Sequence, residues 1–385
     1  MKFKYLIIGG GPCSDSAVKG IREHDKEGKI GIISNEHFGP YRRLSLTKQV
    51  WKDGNIDTIM LGTEKYNVTL LTDTCVSRVD PEKKIVFANE KEFEYEKLLI
   101  ATGITPRKLP FKEVSYLRTI NDFQHIYSRI DNIEKLLIIG GGFTGLELAA
   151  GVNAFVKEVF VTFPEDYVVE RFVPREISEI IMSSMKSAGI ELITGDSVKD
   201  ISGKNIVTNN GKSIKADLII ASIGNTPNIN FLEGSCIKVS NGIEVNSFCE
   251  TNIPDIYSAG DVAFFPSQLF ETNMRREFMD NAIKQGKVAG FNMAGAKIEY
   301  NPVLYTFFDC LDVGYKGFGE YSSAMDMSLC WLGNDKKEAL IFYREKSILK
   351  GILFWNGKPN MKIANQLIMD KSALTDNELI KKILN

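Results

Sequence analysis

Two glycine-rich turns constrain this chain more than any other feature. Gly9-Gly10-Gly11 follows the apolar run Tyr5-Leu6-Ile7-Ile8, and Gly140-Gly141-Gly142 follows Leu136-Leu137-Ile138-Ile139. Short continuous apolar runs of this kind read as strands buried on both faces. A helix-compatible stretch follows each turn, Pro12-Cys13-Ser14 onward in the first case and Phe143-Thr144-Gly145-Leu146-Glu147 in the second. Glycine lets the backbone turn sharply and come close to a phosphate. The free N–H groups and dipole of the helix then offset the phosphate charge. Two such units in one chain predict two bound dinucleotides.

Composition narrows the class. A length of 385 residues suits two or three domains. A hydrophobic fraction of 44% and a charged fraction of 25% are those of a globular protein, and a net charge of −2 gives no electrostatic case for nucleic acid or an anionic membrane. No apolar run approaches the roughly 18–20 residues a membrane span needs. The apolar run near the N-terminus breaks at glycines, so it reads as a first strand and not as a signal peptide. The six cysteines are scattered without redox or metal spacing, which points to small buried hydrophobes in a reducing cytoplasm. None of the three histidines, His24, His37 and His125, stands near a cysteine pair, so no metal site is expected.

Along the chain, residues 1–110 read as a βαβ unit, a β-rich insertion with a hairpin over Lys84–Tyr95, and a buried strand at Lys97–Ile100. The plan repeats from Leu117: a strand at 136–139, a helix at 143–156, a strand at 158–163, a helix at Pro174–Ala188, a hairpin around Asn209-Asn210-Gly211, and a strand at Ala216–Ala221. One more strand, Asp255–Ala259, and a helix, Phe278–Ala294, follow. From 301 onward the pattern changes to antiparallel strands at Met327–Leu332, Ala339–Tyr343 and Ile348–Trp355, then helices at 361–369 and 375–384.

Nine segments together carry a resemblance: IIGGGPCS (7–14), PYRRLSLTK (40–48), YEKLLIATGITPR (95–107), LRTINDF (117–123), IIGGGFTGLELA (138–149), FPED (163–166), ASIGNTPN (221–228), IYSAGDVA (256–263) and LKGILFWNG (349–357). In this order the chain resembles the FAD-dependent pyridine nucleotide (disulfide-type) oxidoreductases, in the branch of ferredoxin and rubredoxin reductases and apoptosis-inducing factor. The fold implied is α/β, with two Rossmann-like dinucleotide-binding domains for FAD and NAD plus a small C-terminal α+β domain. The implied boundaries are 1–112 and 228–300 for the two parts of the FAD domain, 113–227 for the NAD domain, and 301–385 for the C-terminal interface domain.

The resemblance implies roles residue by residue. Gly9, Gly11, Pro12 and Ser14 form the FAD phosphate turn, with Ser14 where a third glycine usually stands. Glu36 or Asn35, ending the second strand, faces the adenosine ribose. Arg43 takes FAD phosphate or ribityl oxygens, and Lys48 lies beside the flavin, where a cation favours the reduced ring. Leu44 and Ser45 replace two prolines of the family pattern. Asp261 accepts from the ribityl chain, and Gly260 gives the cofactor room. Gly140, Gly142, Phe143, Thr144 and Gly145 form the NAD turn, and Gly224 lies toward the nicotinamide. Glu147 faces the nicotinamide and pairs with Lys48, so these two are the expected catalytic residues. Val76, Ala101, Thr102, Gly103, Arg118, Glu277, Phe278 and Phe307 complete the cofactor-binding set.

Glu165 offers a carboxylate to the second ribose, with no Arg cluster next to it, which favours NADH over NADPH; Arg171 is the nearest cation in sequence. PYRRLSLTK contains no cysteine, and Cys13 should face the pyrophosphate, so no catalytic disulfide is expected. The reading is thus an FAD-dependent NADH oxidoreductase that passes electrons to an external carrier such as ferredoxin or rubredoxin. A small-molecule acceptor (oxygen or quinone) and a slow-turnover, redox-responsive interaction protein stay open as alternatives. The resemblance also allows a homodimer.

Overall fold

The computed structural model describes residues 1–358 and 360–384, without the side chain of Gln49. The chain divides into two compact units: Met1–Ser45 with Asn55–Thr105 and Asn225–Pro302, and Leu46–Gly54 with Pro106–Gly224 and Val303–Asn385.

The first unit is built on a parallel sheet in the order Val68–Leu71, Ile30–Ile33, Lys2–Ile8, Lys91–Ile100, with Ile256–Ser258 alongside the last. Ile8 lies opposite both Ile33 and Ile100, and Ser258 opposite Ile100, so these four strands end at one level. Gly9, Ser34, Ala101 and Ala259 therefore leave the sheet together at its carboxyl edge, where open α/β sheets bind ligands. The hairpin and the buried strand expected separately over Lys84–Ile100 are one arrangement. A continuous strand, Lys91–Ile100, pairs with Ile85–Ala88 through its alternating first half and enters the buried sheet through its second. No breaker residue separates the two halves. Pro12–His24 packs on Met279–Met293, and Gly20, Gly286 and Gly290 sit where a Cβ would meet main-chain atoms of the opposite helix.

The second unit repeats the plan with a parallel sheet in the order Ile190–Ile193, Glu158–Thr162, Lys135–Ile139, Leu218–Ala221, Val114–Ser115. Ile139 stands opposite Thr162 and Ala221, so its glycine turn also starts at a common carboxyl edge. The hairpin at Asn209-Asn210-Gly211 joins Asn205–Thr208 to Ser213–Lys215 as expected. The helix after the turn is shorter than predicted: it ends at Val152, and Asn153 turns away with its side-chain amide donating to the Ala188 carbonyl.

The C-terminal part is a five-stranded antiparallel sheet, ordered Tyr305–Cys310, Val313–Gly319, Ile348–Trp355, Ala339–Glu345, Asp326–Trp331, followed by helices Met361–Met369 and Asp376–Leu384. Its second strand escapes sequence reading because Gly314, Gly317 and Gly319 depress the strand signal, and its first, Tyr305–Cys310, then lacks a recognisable hairpin partner. Gly317 is there for packing: Thr306 and Leu353 flank it in the ladder, and a Cβ would run into both side chains. Among the described residues no helix is long and apolar enough to cross a membrane, and no cluster of His, Cys, Asp or Glu could hold a metal ion.

Gly317→Val should therefore overpack this sheet and lower stability by about 1–3 kcal/mol. Denaturant unfolding monitored by far-UV dichroism measures it, and an unchanged midpoint would contradict the close packing described.

Candidate active site

The two glycine turns share one construction. Gly9 (φ +122°) and Gly140 (φ +124°) lie where an added Cβ would strike the carbonyls of Ala101 and Ser222, so only glycine closes the turn. Gly10 backs onto Ser34, and Gly141 onto the ring of Phe163. Gly11 and Gly142 differ: their backbones are extended and nothing lies within 4 Å of an added Cβ. Each is a helix N-cap without a side-chain acceptor. Open space above the free donors of a helix start is the cradle a pyrophosphate needs, so the residues present fit a dinucleotide at each turn. At the third glycine position, a Cβ on Gly145 would strike the Gly140 carbonyl. In the first unit Ser14 solves the same problem differently, its hydroxyl donating to the Gly9 carbonyl at 2.6 Å.

On the rim of the first unit the sequence-predicted Glu36 and Arg43 meet in an ion pair of 2.6 Å. Tyr41 donates its hydroxyl to Glu36 at 2.6 Å and carries the Arg43 guanidinium over its ring at 4.7 Å. Burial works against the Arg43 charge, but Tyr41 and Glu36 outweigh it and hold the guanidinium pKa above its ordinary value. Asn35 is exposed. Thr102 exchanges hydrogen bonds with Asn228 at 2.8 and 2.9 Å, beside Gly103 at φ +65°. Val76 opens the strand Val76–Asp80 opposite Ala88, and Phe278 is the N-cap of Met279–Met293.

Gly260 (φ +80°) and Asp261 are fixed at both peptides by residues that sequence reading missed. The fully buried Gln285 accepts the Gly260 N–H at 2.9 Å, and Arg275 donates to the Asp261 carbonyl at 3.1 Å. Arg275 also pairs with Glu277 at 2.7 Å, and Glu277 accepts from Asn225 at 2.7 Å. No local motif announces Gln285 or Arg275; both act across long stretches of chain. Cys13 lies beside Gly260, and burial, with Asp261 and Cys249 nearby, pushes its thiol well above the usual range. It stays protonated.

In the second unit Lys48 and Glu147 are brought together at 3.0 Å, with Glu147 only 6% exposed. Glu147 sits in the first turns of Phe143–Val152. Gly151, on the same helix, lets the backbone at Thr47 approach. Trp51 is buried, donates to the Leu46 carbonyl at 2.9 Å and packs edge-on to Phe123 at 5.1 Å, which anchors the segment that carries Lys48. Glu147 further accepts from the Thr47 hydroxyl at 3.3 Å, and the backbone of Asp309 also favours its ionised form. Burial pushes its carboxyl up, and these partners pull it only part of the way back. Lys48 also lies 3.4 Å from Asp309 and 4.9 Å over the ring of Phe307.

Phe143 packs against Phe172, Phe308 and Tyr315 at 5.1–5.5 Å, while Thr144 is exposed. Glu165 and Arg171 form an ion pair of 3.0 Å. Gly224 has φ +96°, with the stem of Arg107 beside it. Arg118 donates its backbone N–H to Asp122, the capping-box partner of the N-cap Thr119 on Ile120–Tyr127.

This arrangement has relatives. The chain is 29% identical to apoptosis-inducing factor 1, mitochondrial, of Dictyostelium discoideum, over 97% of this chain and 80% of that one. It is 30% identical to the NADH-rubredoxin oxidoreductase of Clostridium acetobutylicum, over 78% of this chain and 77% of that one. Among solved structures it superposes on the covalent putidaredoxin reductase–putidaredoxin complex with a TM-score of 0.90 at 25% identity, covering 98% of this chain and 95% of that one. The model of the pyridine nucleotide-disulphide oxidoreductases matches residues 3–286. The chain belongs to the pyridine nucleotide-disulphide oxidoreductase family, an FAD- and NAD(P)H-dependent family.

Proposed function

We propose that this protein takes hydride from NADH onto FAD and passes the electrons singly to a small electron-carrier protein of the ferredoxin or rubredoxin type. The ion pair of Lys48 with the buried Glu147, which stands on the helix that opens at the second glycine turn, is the observation that carries this reading. The relatives support it: one is named for NADH and rubredoxin, and another is solved joined to its carrier, putidaredoxin. In this reading residues 1–112 and 228–300 bind FAD, 113–227 bind NAD, and 301–385 form the interface domain.

Gly9, Gly11 and Ser14 with the start of Pro12–His24 hold the FAD pyrophosphate. Glu36 and Arg43 act as a preformed pair toward the adenosine end, and Asp261 accepts from the ribityl chain. Gly140, Gly142 and Gly145 hold the nicotinamide dinucleotide, and Glu165 reads its ribose. Bound FAD supplies the hydride acceptor and the single-electron donor. Lys48 contributes a fixed cation where negative charge develops, a preorganised interaction commonly worth about 2–4 kcal/mol in a water-poor site. Glu147 fixes that cation in place. The reaction asks nothing of a thiolate: Cys13 is protonated, and burial beside Glu147 and Asp312 pushes the Cys310 thiol up to about 12.

The function is tested by anaerobic stopped flow. NADH should reduce the flavin, and a small iron–sulfur carrier should then reoxidise it faster than oxygen or a quinone does. Fast reoxidation by quinone or oxygen with no response to any carrier would replace the electron-carrier reading.

Gly11→Val and Gly142→Val should each fold, since nothing crowds an added side chain there. The first should lose FAD and the second should keep FAD but lose NADH binding. Flavin absorbance per chain and thermal unfolding report both, and full retention of both nucleotides would show that neither space holds a phosphate.

NADH should be preferred because a 2′-phosphate beside Glu165 is opposed by about 1–3 kcal/mol, and Arg171, already paired to Glu165, offsets only part of that. Glu165→Gln should free Arg171 and improve kcat/KM for NADPH by roughly 10-fold relative to NADH. An unchanged ratio would place Glu165 away from the ribose.

A further inference from the structure

Lys48 has two carboxylates within reach. Glu147 is buried at 3.0 Å, and Asp309, whose side chain is 64% exposed, lies at 3.4 Å. Asp309 faces both members of the pair: its carboxylate accepts from the ammonium at 3.4 Å, and its backbone favours the ionised form of Glu147. It stands on the edge strand Tyr305–Cys310, between Phe308, buried against Phe143, and Cys310, whose thiol donates to the Leu146 carbonyl at 3.7 Å. That strand is therefore fastened to Phe143–Val152 on both sides of Asp309, and the placement of Asp309 is set by packing.

We propose that Asp309 is a positioning residue of the hydride-transfer site. Its carboxylate shares the Lys48 ammonium with Glu147, so the three side chains form one unit. This rests on the proposed role of the Lys48–Glu147 pair. The charged and titratable groups facing Glu147 are Lys48, Asp309 and the Cys310 thiol, with Asp312 beyond the last. Burial holds the Glu147 carboxyl up, and Lys48 opposes it. Removing the charge of Asp309 leaves Lys48 wholly to Glu147 and takes away a like charge, and both changes favour the ionised Glu147. The backbone is unchanged in an Asn variant, so only the carboxylate charge is removed.

The test uses the FAD-loaded protein and reads Glu147 directly. The infrared carbonyl band of its protonated form is assigned by its loss in Glu147→Gln and titrated against pH. In Asp309→Asn the midpoint should fall by about 0.5–1 pH unit, and Asp309→Glu should restore it toward the parent. The acid limb of the flavin-reduction rate with NADH should move by the same amount. A midpoint that stays put or rises in Asp309→Asn, while Lys48→Ala slows reduction, would overturn the role of Asp309 and leave the pair standing. A midpoint that falls without any movement of the rate would uphold the three-member unit and remove the pair from the reaction.

Discussion

Burying a carboxylate dictates much of the second unit. An ionised Glu147 out of water costs several kcal/mol unless it is paired and hydrogen-bonded. The chain meets that demand from two distant segments: the Lys48 ammonium and Thr47 hydroxyl from one, and the backbone at Asp309, which favours the ionised carboxyl, from the other. Each of those segments has its own anchor, the buried Trp51 for the first and the packing of Phe308 and Cys310 for the second. A cation fixed in this way needs no reorganisation when charge arrives, which is the property catalysis draws on.

The glycine turns do the complementary work. Their first members press on a carbonyl of the neighbouring strand, and their third members leave empty space over a helix start. The register of each sheet brings the strand ends to that same edge, so strand pairing and the open space over each helix start are one geometric fact. Gln285 and Arg275 likewise fix the backbone at Gly260-Asp261.

Much of this was legible in the sequence because it is local. The two strand–glycine–helix units, the hairpin at Asn209-Asn210-Gly211 and the strand Ile348–Trp355 announce themselves through periodicity and turn chemistry. Lys48 and Glu147 were legible only through family resemblance, since no spacing relates residues so far apart. Asp309, Gln285 and Arg275 carried no signal, because their roles exist only after long-range packing. The strand Val313–Gly319 was hidden by its glycines, and at Gly317 the reason, close packing, is visible only with Leu353 and Thr306 in place.

The central claim is that Lys48 and Glu147 act as a unit on flavin reduction, and a double-mutant cycle on the rate constant for reduction by NADH tests it most directly. Lys48→Ala, Glu147→Gln and the double variant are compared with the parent in anaerobic stopped flow. The account predicts a coupling energy of about 1–3 kcal/mol, with the double variant little slower than Lys48→Ala alone. Effects that add to within about 0.5 kcal/mol, or a Lys48→Ala protein reduced as fast as the parent, would contradict it.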